Sequence, residues 1–189
     1  MLPVLDISDY LADPTSDKGL GFIDQLRDTC HGPGFFYLVG HGIESRFDAE
    51  VLNTANRFFE LPLAEREALA IANSAHFRGY TLLKGERTNG LVDWRDQIDI
   101  GPEEPVLLLT DDDPPWLKLR GPNQWPAGLP AMPDAVMGWM GQIQPLGMAL
   151  MQALAQGLGQ TADYFDDRMA PDAYTRVKII RYPAQPEEG

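Results

Sequence analysis

Histidines are the residues in this sequence best suited to metal chemistry, and their neighbours decide whether they form a site. The three histidines are His31, His41 and His76. No acidic residue lies two positions after any of them, so the His-x-Asp/Glu pair of many iron oxygenases is absent. The His-Glu-x-x-His pattern of zinc enzymes is absent as well. We predict that His41 is a hydrogen-bonded turn residue and that His31 interacts with carbonyls at a helix end.

Other chemistry-bearing patterns are also incomplete. The single cysteine, Cys30, rules out an internal disulfide and a thiolate metal site, and we predict that its thiol is buried and unreactive. There is no Gly-x-Ser-x-Gly turn and no glycine-rich phosphate loop. The triplet 111–113 is acidic but lacks the alternating ligands of a calcium loop, so we predict an exposed turn. The residue inventory contains no complete catalytic constellation.

Apolar periodicity predicts the elements of the first half of the chain. Helix 17–31 has Leu20, Ile23, Leu26 and Cys30 on its apolar side and ends at Gly-Pro-Gly. The apolar run 35–39 predicts a fully buried strand. The remaining elements predicted in this half are a strand at 3–7, helices at 44–59 and 63–71, and short strands at 80–83 and 97–100.

The second half contains one long helix and a last strand. The helix spans about 134–158, with a stripe formed by Val136, Met140, Ile143, Leu150, Leu154 and Leu158. Pro145 is expected to kink it, and Gly159 is expected to cap its end. The last strand covers Arg176 to Tyr182 and enters a Pro/Glu/Gly loop that runs to Gly189.

Composition narrows the class of partner. The chain has 189 residues, 44% of them hydrophobic and 23% charged, which is typical of a globular protein. Its formal net charge is −13, so binding to nucleic acid or to an anionic membrane surface is not expected. The sequence shows no signal peptide and no apolar run of membrane-spanning length. We expect a cytoplasmic protein.

Seven motifs, taken in order, indicate a resemblance to a known protein family. They are Leu2–Ser8, Gly34–Ile43, Phe58–Pro62, Arg78–Tyr80, Asp93–Gly101, Gly121–Pro126 and Lys178–Pro183. In this order and spacing the chain resembles the isopenicillin N synthase-like branch of the non-haem iron(II), 2-oxoglutarate-dependent oxygenases. The resemblance covers nearly the whole chain but only the N-terminal part of the family pattern.

The resemblance implies an α+β fold. A helical and mixed N-terminal region would pack on a double-stranded β-helix, or jelly-roll, core that only starts in this chain. The implied divisions are 1–110 for the mixed region, 111–174 for a loop with the supporting helix, and 175–189 for the first core strand. The Asn123–Pro126 segment would be architectural, with Trp125 buried and Pro126 fixing a turn.

The resemblance also implies chemistry. The complete protein would use Fe(2+), 2-oxoglutarate and O2 to hydroxylate, desaturate or cyclise a small molecule, releasing succinate and CO2. The iron ligands are expected beyond Gly189, so no catalytic or metal residue is assigned within the chain. Tyr182 matches a tyrosine next to the iron and would bind the cosubstrate. Arg78 and Tyr80 match a region that approaches the substrate, where Arg78 would clamp a carboxylate.

Alternatives remain for the class and for each residue. An oxidase of the same fold would use iron and O2 without 2-oxoglutarate, and a non-catalytic module would bind a partner instead. Tyr182 would otherwise be a core tyrosine, and Arg78 would otherwise be a surface arginine on a loop. The oligomeric state and the substrate are left open.

Overall fold

A computed structural model describes residues 1–169 and 174–185. Its helices and strands occur in this order: β1 (Val4–Asp6), α1 (Ser8–Ala12), α2 (Asp17–His31), β2 (Tyr37–Val39), α3 (Ser45–Glu60), α4 (Leu63–Glu67), β3 (Gly79–Thr81), β4 (Arg87–Thr88), β5 (Leu91–Val92), β6 (Asp96–Ile100), α5 (Met132–Gly157), α6 (Asp166–Met169) and β7 (Val177–Arg181). Residues 186–189 of the predicted C-terminal loop lie outside the described part. Within the described ranges, no helix is both long and apolar enough to cross a membrane.

The described residues divide into two compact units. The first contains 1–45 and 141–169, and the second contains 46–140 and 174–185. The division falls within α5, whose residues 132–140 belong to the second unit and whose remainder belongs to the first. The implied divisions at 110 and 174 remain a proposal.

The first unit is a parallel pair of strands covered by helices. β1 pairs with β2, with Leu5 opposite Leu38. Leu5 packs with apolar residues of the helices, including Phe22, Leu26 and Ala153. The predicted strand 35–39 is shorter than expected, and the prediction that it is fully buried is wrong. Phe35 and Tyr37 are largely exposed, because only alternate residues of this two-stranded sheet face the helices.

Helix α2 has the predicted bounds but a rotated buried face. Ser16 caps it, and its hydroxyl accepts a hydrogen bond from the backbone N–H of Gly19. Gly19 lies against the Asp13 carbonyl, where no Cβ would fit, and this close approach turns the Gly19 side inward. Leu20 and Cys30 are therefore exposed, so the predictions that Leu20 lies on the apolar side and that the Cys30 thiol is buried are wrong.

Helix α5 agrees with its predicted extent within two residues and continues through Pro145. Val136 and Met140 are buried as expected, whereas Leu158 lies beyond the helix and is exposed. Gly159 has a φ of 75°, and its N–H and that of Gln160 donate to Gln156 and Ala155. This confirms Gly159 as the cap.

The second unit contains a three-stranded sheet in the order β3-β6-β7, with both pairs antiparallel. Ile98 and Ile100 of β6 pack against Phe58 of α3 and Val136 of α5. α4 is shorter than the predicted helix 63–71. All five residues of β6 are buried, so both sides of this strand are covered.

Candidate functional site

The two sides of β6 carry different chemistry because side chains alternate along a strand. Asp96, Ile98 and Ile100 point toward α3 and α5, and we call this side the helix face. Gln97 and Asp99 point the opposite way. We call this second side the polar face, and it consists of Glu86, Arg95, Gln97, Asp99, Lys178 and Tyr182.

An ionic network lies at one end of the helix face. Asp96 has no exposed surface, and its carboxylate accepts hydrogen bonds from three side chains. Arg66 Nη1 donates at 2.9 Å, Tyr80 Oη at 2.8 Å, and Arg181 Nε and Nη2 at 2.9 and 2.7 Å. The Arg181 guanidinium also lies 4.8 Å from the centre of the Phe59 ring. The network ties α4, β3, β6 and β7 together.

The network shifts the pKa values of its members. Burial acts to raise the pKa of Asp96, but the hydrogen bonds from Arg181 and Tyr80 and the charges of Arg181 and Arg66 outweigh it. The pKa of Asp96 is therefore below its usual value. Burial, followed by the hydrogen bond to Asp96, raises the pKa of Tyr80 to about 12. Tyr80 is thus a neutral donor, and Asp96 is an ionised acceptor.

The polar face is also held by carboxylates. The Gln97 side-chain amide donates to Glu86 Oε1 at 2.8 Å and to Asp99 Oδ2 at 3.0 Å. Arg95 forms an ion pair with Glu86. Asp99 forms ion pairs with Arg176 at 2.7 Å and with Lys178 at 3.7 Å. Each of the two carboxylates therefore already has a cation beside it.

Tyr182 follows β7 directly and is 68% exposed. Arg95 Nη1 lies 3.5 Å from its hydroxyl, which places the ring beside the polar face. Among the described residues, its ring therefore does not belong to an apolar core. Its predicted contact with the cosubstrate stays a prediction.

Arg78 lies just before β3 and has no exposed surface, so the surface-loop alternative is wrong. Its Nη1 donates to the carbonyl of His76 at 2.8 Å and to the hydroxyl of Tyr174 at 2.9 Å. A Cβ on Gly101 would overlap the guanidinium, so a larger residue there would displace it. Nε and Nη2 of Arg78 have no hydrogen-bond partner among the described residues. A buried guanidinium with two unused donors suits an anionic group.

The predicted contact of Tyr80 with substrate also stays a prediction. Its hydroxyl accepts from Arg66 and donates to Asp96, and its ring belongs to the apolar core. This position suits an indirect role, in which Tyr80 fixes β3 and thereby the backbone next to Arg78.

The segment around Asn123 and Gln124 fixes the backbone, as predicted, although Trp125 is only partly buried. Gln124 Nε2 donates to the carbonyls of Leu69, Ala70 and Arg78. The Asn123 side chain donates to the carbonyl of Gly101 and accepts from its N–H, both at 2.9 Å. The segment therefore holds the backbone on both sides of the Arg78 guanidinium.

The histidines do not gather into a metal site. His41 Nδ1 accepts a hydrogen bond from the N–H of Ile43, so the predicted turn role is confirmed. His31 is the last residue of α2, and His76 Nδ1 lies 2.9 Å from the Lys118 carbonyl. In residues 1–169 and 174–185, no group of three or more His, Cys, Asp or Glu side chains is arranged to hold a metal ion. The described residues therefore do not fit an iron centre by themselves.

A cleft of about 790 Å³ runs along β7. Its walls are residues of α3, among them Val51, Ala55 and Phe59, together with Trp139 of α5 and the whole of β7. β7 pairs with β6 along one edge, and among the described strands nothing pairs with its other edge. The cleft is thus a largely apolar groove next to the edge of β7 that no described strand pairs with.

Sequence reasoning missed most of these side chains. Arg66, Asp96 and Arg181 were not singled out, nor were Glu86, Gln97 and Asp99. A signal was available in β6, where Asp-Gln-Ile-Asp-Ile places polar residues on both sides of a strand that must be buried. Buried charges require partners, so this pattern predicts ionic networks.

Comparisons with known proteins give the family. The model of the family described as "non-haem dioxygenase in morphine synthesis N-terminal" matches residues 2–128. A 2-oxoglutarate-dependent dioxygenase of Dothideomycetidae sp. is 31% identical, over 100% of this chain and 50% of its own length. Homoarginine-6-hydroxylase of Glycine max is also 31% identical, over 96% of this chain and 56% of its own length.

Solved structures show the same fold. A full-length Neurospora crassa protein in complex with alpha-KG and 5-formyluracil superposes with a TM-score of 0.75 at 25% identity, over 96% of this chain and 52% of that one. A 2OG-Fe(II) oxygenase family protein from Caulobacter crescentus gives a TM-score of 0.77 at 21% identity, over 99% and 58%. The chain spans about half the length of the curated relatives it matches. It belongs to the non-haem dioxygenase family, and it matches the N-terminal region of that family.

Proposed function

We propose that this chain is the N-terminal part of an iron(II)- and 2-oxoglutarate-dependent oxygenase that oxidises a small molecule. The observation that carries this proposal is the family match, which covers two thirds of the chain at residues 2–128. Relatives bearing the name 2-oxoglutarate-dependent dioxygenase and a fold neighbour with bound alpha-KG support it.

β7 is proposed as the first strand of a jelly-roll core. Its unpaired edge and the apolar groove beside it suit the addition of a further strand, whose apolar side chains would cover Val51, Phe59 and Trp139. Regions 1–110 and 111–174 would support that core from outside. The polar face would then point into the core, because α3 and α5 occupy the opposite side of the sheet.

Three side chains have proposed contacts in the complete site. Tyr182 is exposed beside the polar face and would donate a hydrogen bond to 2-oxoglutarate. Arg78 would bind an anionic group of the substrate through Nε and Nη2, its unused donors. Tyr80 would hold β3 in the position that Arg78 requires.

The metal and the cosubstrates are Fe(2+), 2-oxoglutarate and O2 in this proposal. Bound iron supplies the redox chemistry that couples decarboxylation of 2-oxoglutarate to oxidation of the substrate. Its ligands are proposed to lie beyond Gly189, and the length of the relatives, about half of which this chain spans, supports this. The described residues would shape the pocket and orient the substrate. We further propose a cytoplasmic location.

The test is 2-oxoglutarate turnover by the full-length protein. Enzyme purified without oxygen and loaded with iron(II) should release succinate when 2-oxoglutarate and air are added, and zinc-loaded enzyme should not. Iron-dependent oxygen consumption without succinate would favour the oxidase of the same fold. If the iron-loaded enzyme consumed no oxygen, with or without 2-oxoglutarate, a non-catalytic module would be favoured.

A further inference from the structure

The polar face contains one acceptor and one donor that have no partner among the described residues. Gln97 has no exposed surface, and its Oε1 has no hydrogen-bond partner among the described residues. Arg95 Nε is likewise buried without a described partner. Leaving a buried polar atom unpaired costs about 1–3 kcal/mol, so such atoms usually indicate a missing water or ligand.

The orientation of the Gln97 amide is fixed by its neighbours. Its nitrogen lies 2.8 Å from Glu86 Oε1 and 3.0 Å from Asp99 Oδ2, and both of these atoms only accept hydrogen bonds. Flipping the amide would place three oxygens against one another. Oε1 is therefore held as an acceptor and is not free to become a donor.

The unpaired donor lies in the same cluster. Arg95 and Gln97 both contact the carboxylate of Glu86, and they are two residues apart on the same side of the chain. The face thus offers an acceptor from Gln97 and a donor from Arg95 around one shared carboxylate.

The charges on the polar face restrict which chemical group can bind to Gln97 Oε1 and Arg95 Nε. Glu86 is paired with Arg95 and lies 3.9 Å from Lys178, and Asp99 is paired with Arg176. Because both carboxylates already have counter-ions, the face does not require another charge. A neutral group with an N–H beside a C=O satisfies both unpaired atoms, as in an amide, a lactam or an imide.

We propose that the polar face recognises a neutral amide-like group of the substrate, with Gln97 Oε1 accepting from its N–H and Arg95 Nε donating to its carbonyl. This inference rests on the proposed oxygenase function, because the face lines the pocket only if β7 begins the core. Two residues lie opposite Gln97: Thr81 on β3, which is partly buried, and Ile180 on β7, which is exposed. The group would approach between them.

The experiment compares matched probes with the full-length, iron-loaded enzyme. The probes are 2-piperidone with N-methyl-2-piperidone, and succinimide with N-methylsuccinimide. The reading is the apparent KM of each probe for stimulating 2-oxoglutarate consumption. The wild-type enzyme should favour the N–H member of each pair by at least about tenfold, because N-methylation leaves Oε1 unpaired.

Three variants separate the two contacts. Gln97→Met removes the acceptor and should bring the two KM values of each pair within about twofold. Arg95→Lys keeps the ion pair with Glu86 but removes Nε, so it should raise both KM values together. Gln25→Met, the same change at an exposed position of α2, should keep the wild-type preference. If Gln97→Met does not fold, Gln97→Asn, which withdraws the oxygen, should reduce the preference in the same way.

Two failures are distinguishable. Without any iron-dependent succinate release from 2-oxoglutarate, the proposed function itself fails. With succinate release but no preference for the N–H probes, or with a preference that survives the loss of Gln97, the amide-recognition proposal is overturned. A buried water on Oε1 would give that second result.

Discussion

At the scale of residues, the Asp96 network contributes to the stability of the fold and not to recognition of a ligand. The carboxylate contacts Arg66, Tyr80 and Arg181, which come from three other elements. Removing one member of a buried ion pair is costly, because the remaining charges lose their partner. Asp96 is thus a structural residue, and because its pKa is lowered, its contribution to stability can be measured as a dependence on pH.

Asp96→Asn should lower the free energy of unfolding at pH 7 by about 3 kcal/mol. Because the folded-state pKa of Asp96 is lowered, its contribution is present above the unfolded-state pKa and is lost as the pH falls through the folded-state value. Denaturant titrations of the wild type from pH 6 down to pH 3 should show stability falling below about pH 4. The fall should be smaller in Asp96→Asn than in Asp111→Asn, which changes an exposed carboxylate. Equal pH slopes in the two variants would contradict the assignment.

Arg78 gives a prediction about recognition. Arg78→Lys keeps a buried charge but loses Nε and one Nη, so it should raise the apparent KM for an anionic substrate by about tenfold. The apparent KM for the cosubstrate should change much less. Steady-state kinetics of the full-length enzyme measure both constants, with Arg87→Lys on the exposed hairpin as the control. Unchanged substrate kinetics would limit Arg78 to packing against Gly101.

At the scale of elements, the end of α5 depends on backbone conformation alone. Gly159 has a φ of 75°, and a Cβ there would meet no atom within 4 Å. Gly159→Ala should therefore destabilise the protein by about 1 kcal/mol through backbone strain. Gly147 also has open space but has no positive φ and lies inside the helix. Gly147→Ala should stabilise by about 0.5–1 kcal/mol, and thermal unfolding of both variants should show opposite shifts.

The positions of helices were more predictable than their buried faces. Helix α2 agrees with its predicted bounds because Ser16 and the Gly-Pro-Gly stop are local signals. The prediction of its buried side was wrong at Leu20 and Cys30, because the close approach of Gly19 to Asp13 depends on tertiary packing. The strand at Tyr37 was predicted from apolar composition, which does not reveal how many sides a sheet has covered.

The candidate site was predictable only in part for a related reason. Tyr182 and Arg78 were found by matching family motifs, but those motifs did not predict whether either side chain is buried. Gln97 and Asp96 are adjacent in sequence but lie on opposite sides of β6, and the partners of Asp96 are 16, 30 and 85 residues away in the chain. Pairings over such separations have no local signal.

At the scale of the whole molecule, the described residues hold a fold without a metal cluster. The 189-residue chain alone should therefore neither bind iron(II) tightly nor release succinate from 2-oxoglutarate. Metal analysis after desalting and a succinate assay measure both properties, with the full-length protein as the positive control. Turnover by a verified preparation of this chain alone would show that the ligands lie within it.

The pairing of β6 with β7 also has a consequence for protein synthesis. Asp96 and Arg181 are 85 residues apart, so β6 leaves the ribosome well before the strand that covers its second edge. At about 5–20 residues per second, that delay is roughly 4–17 s. During this interval the Asp96 carboxylate, on the apolar side of β6, lacks the guanidinium of Arg181. A chaperone that shields this edge during synthesis would then raise the yield of native protein.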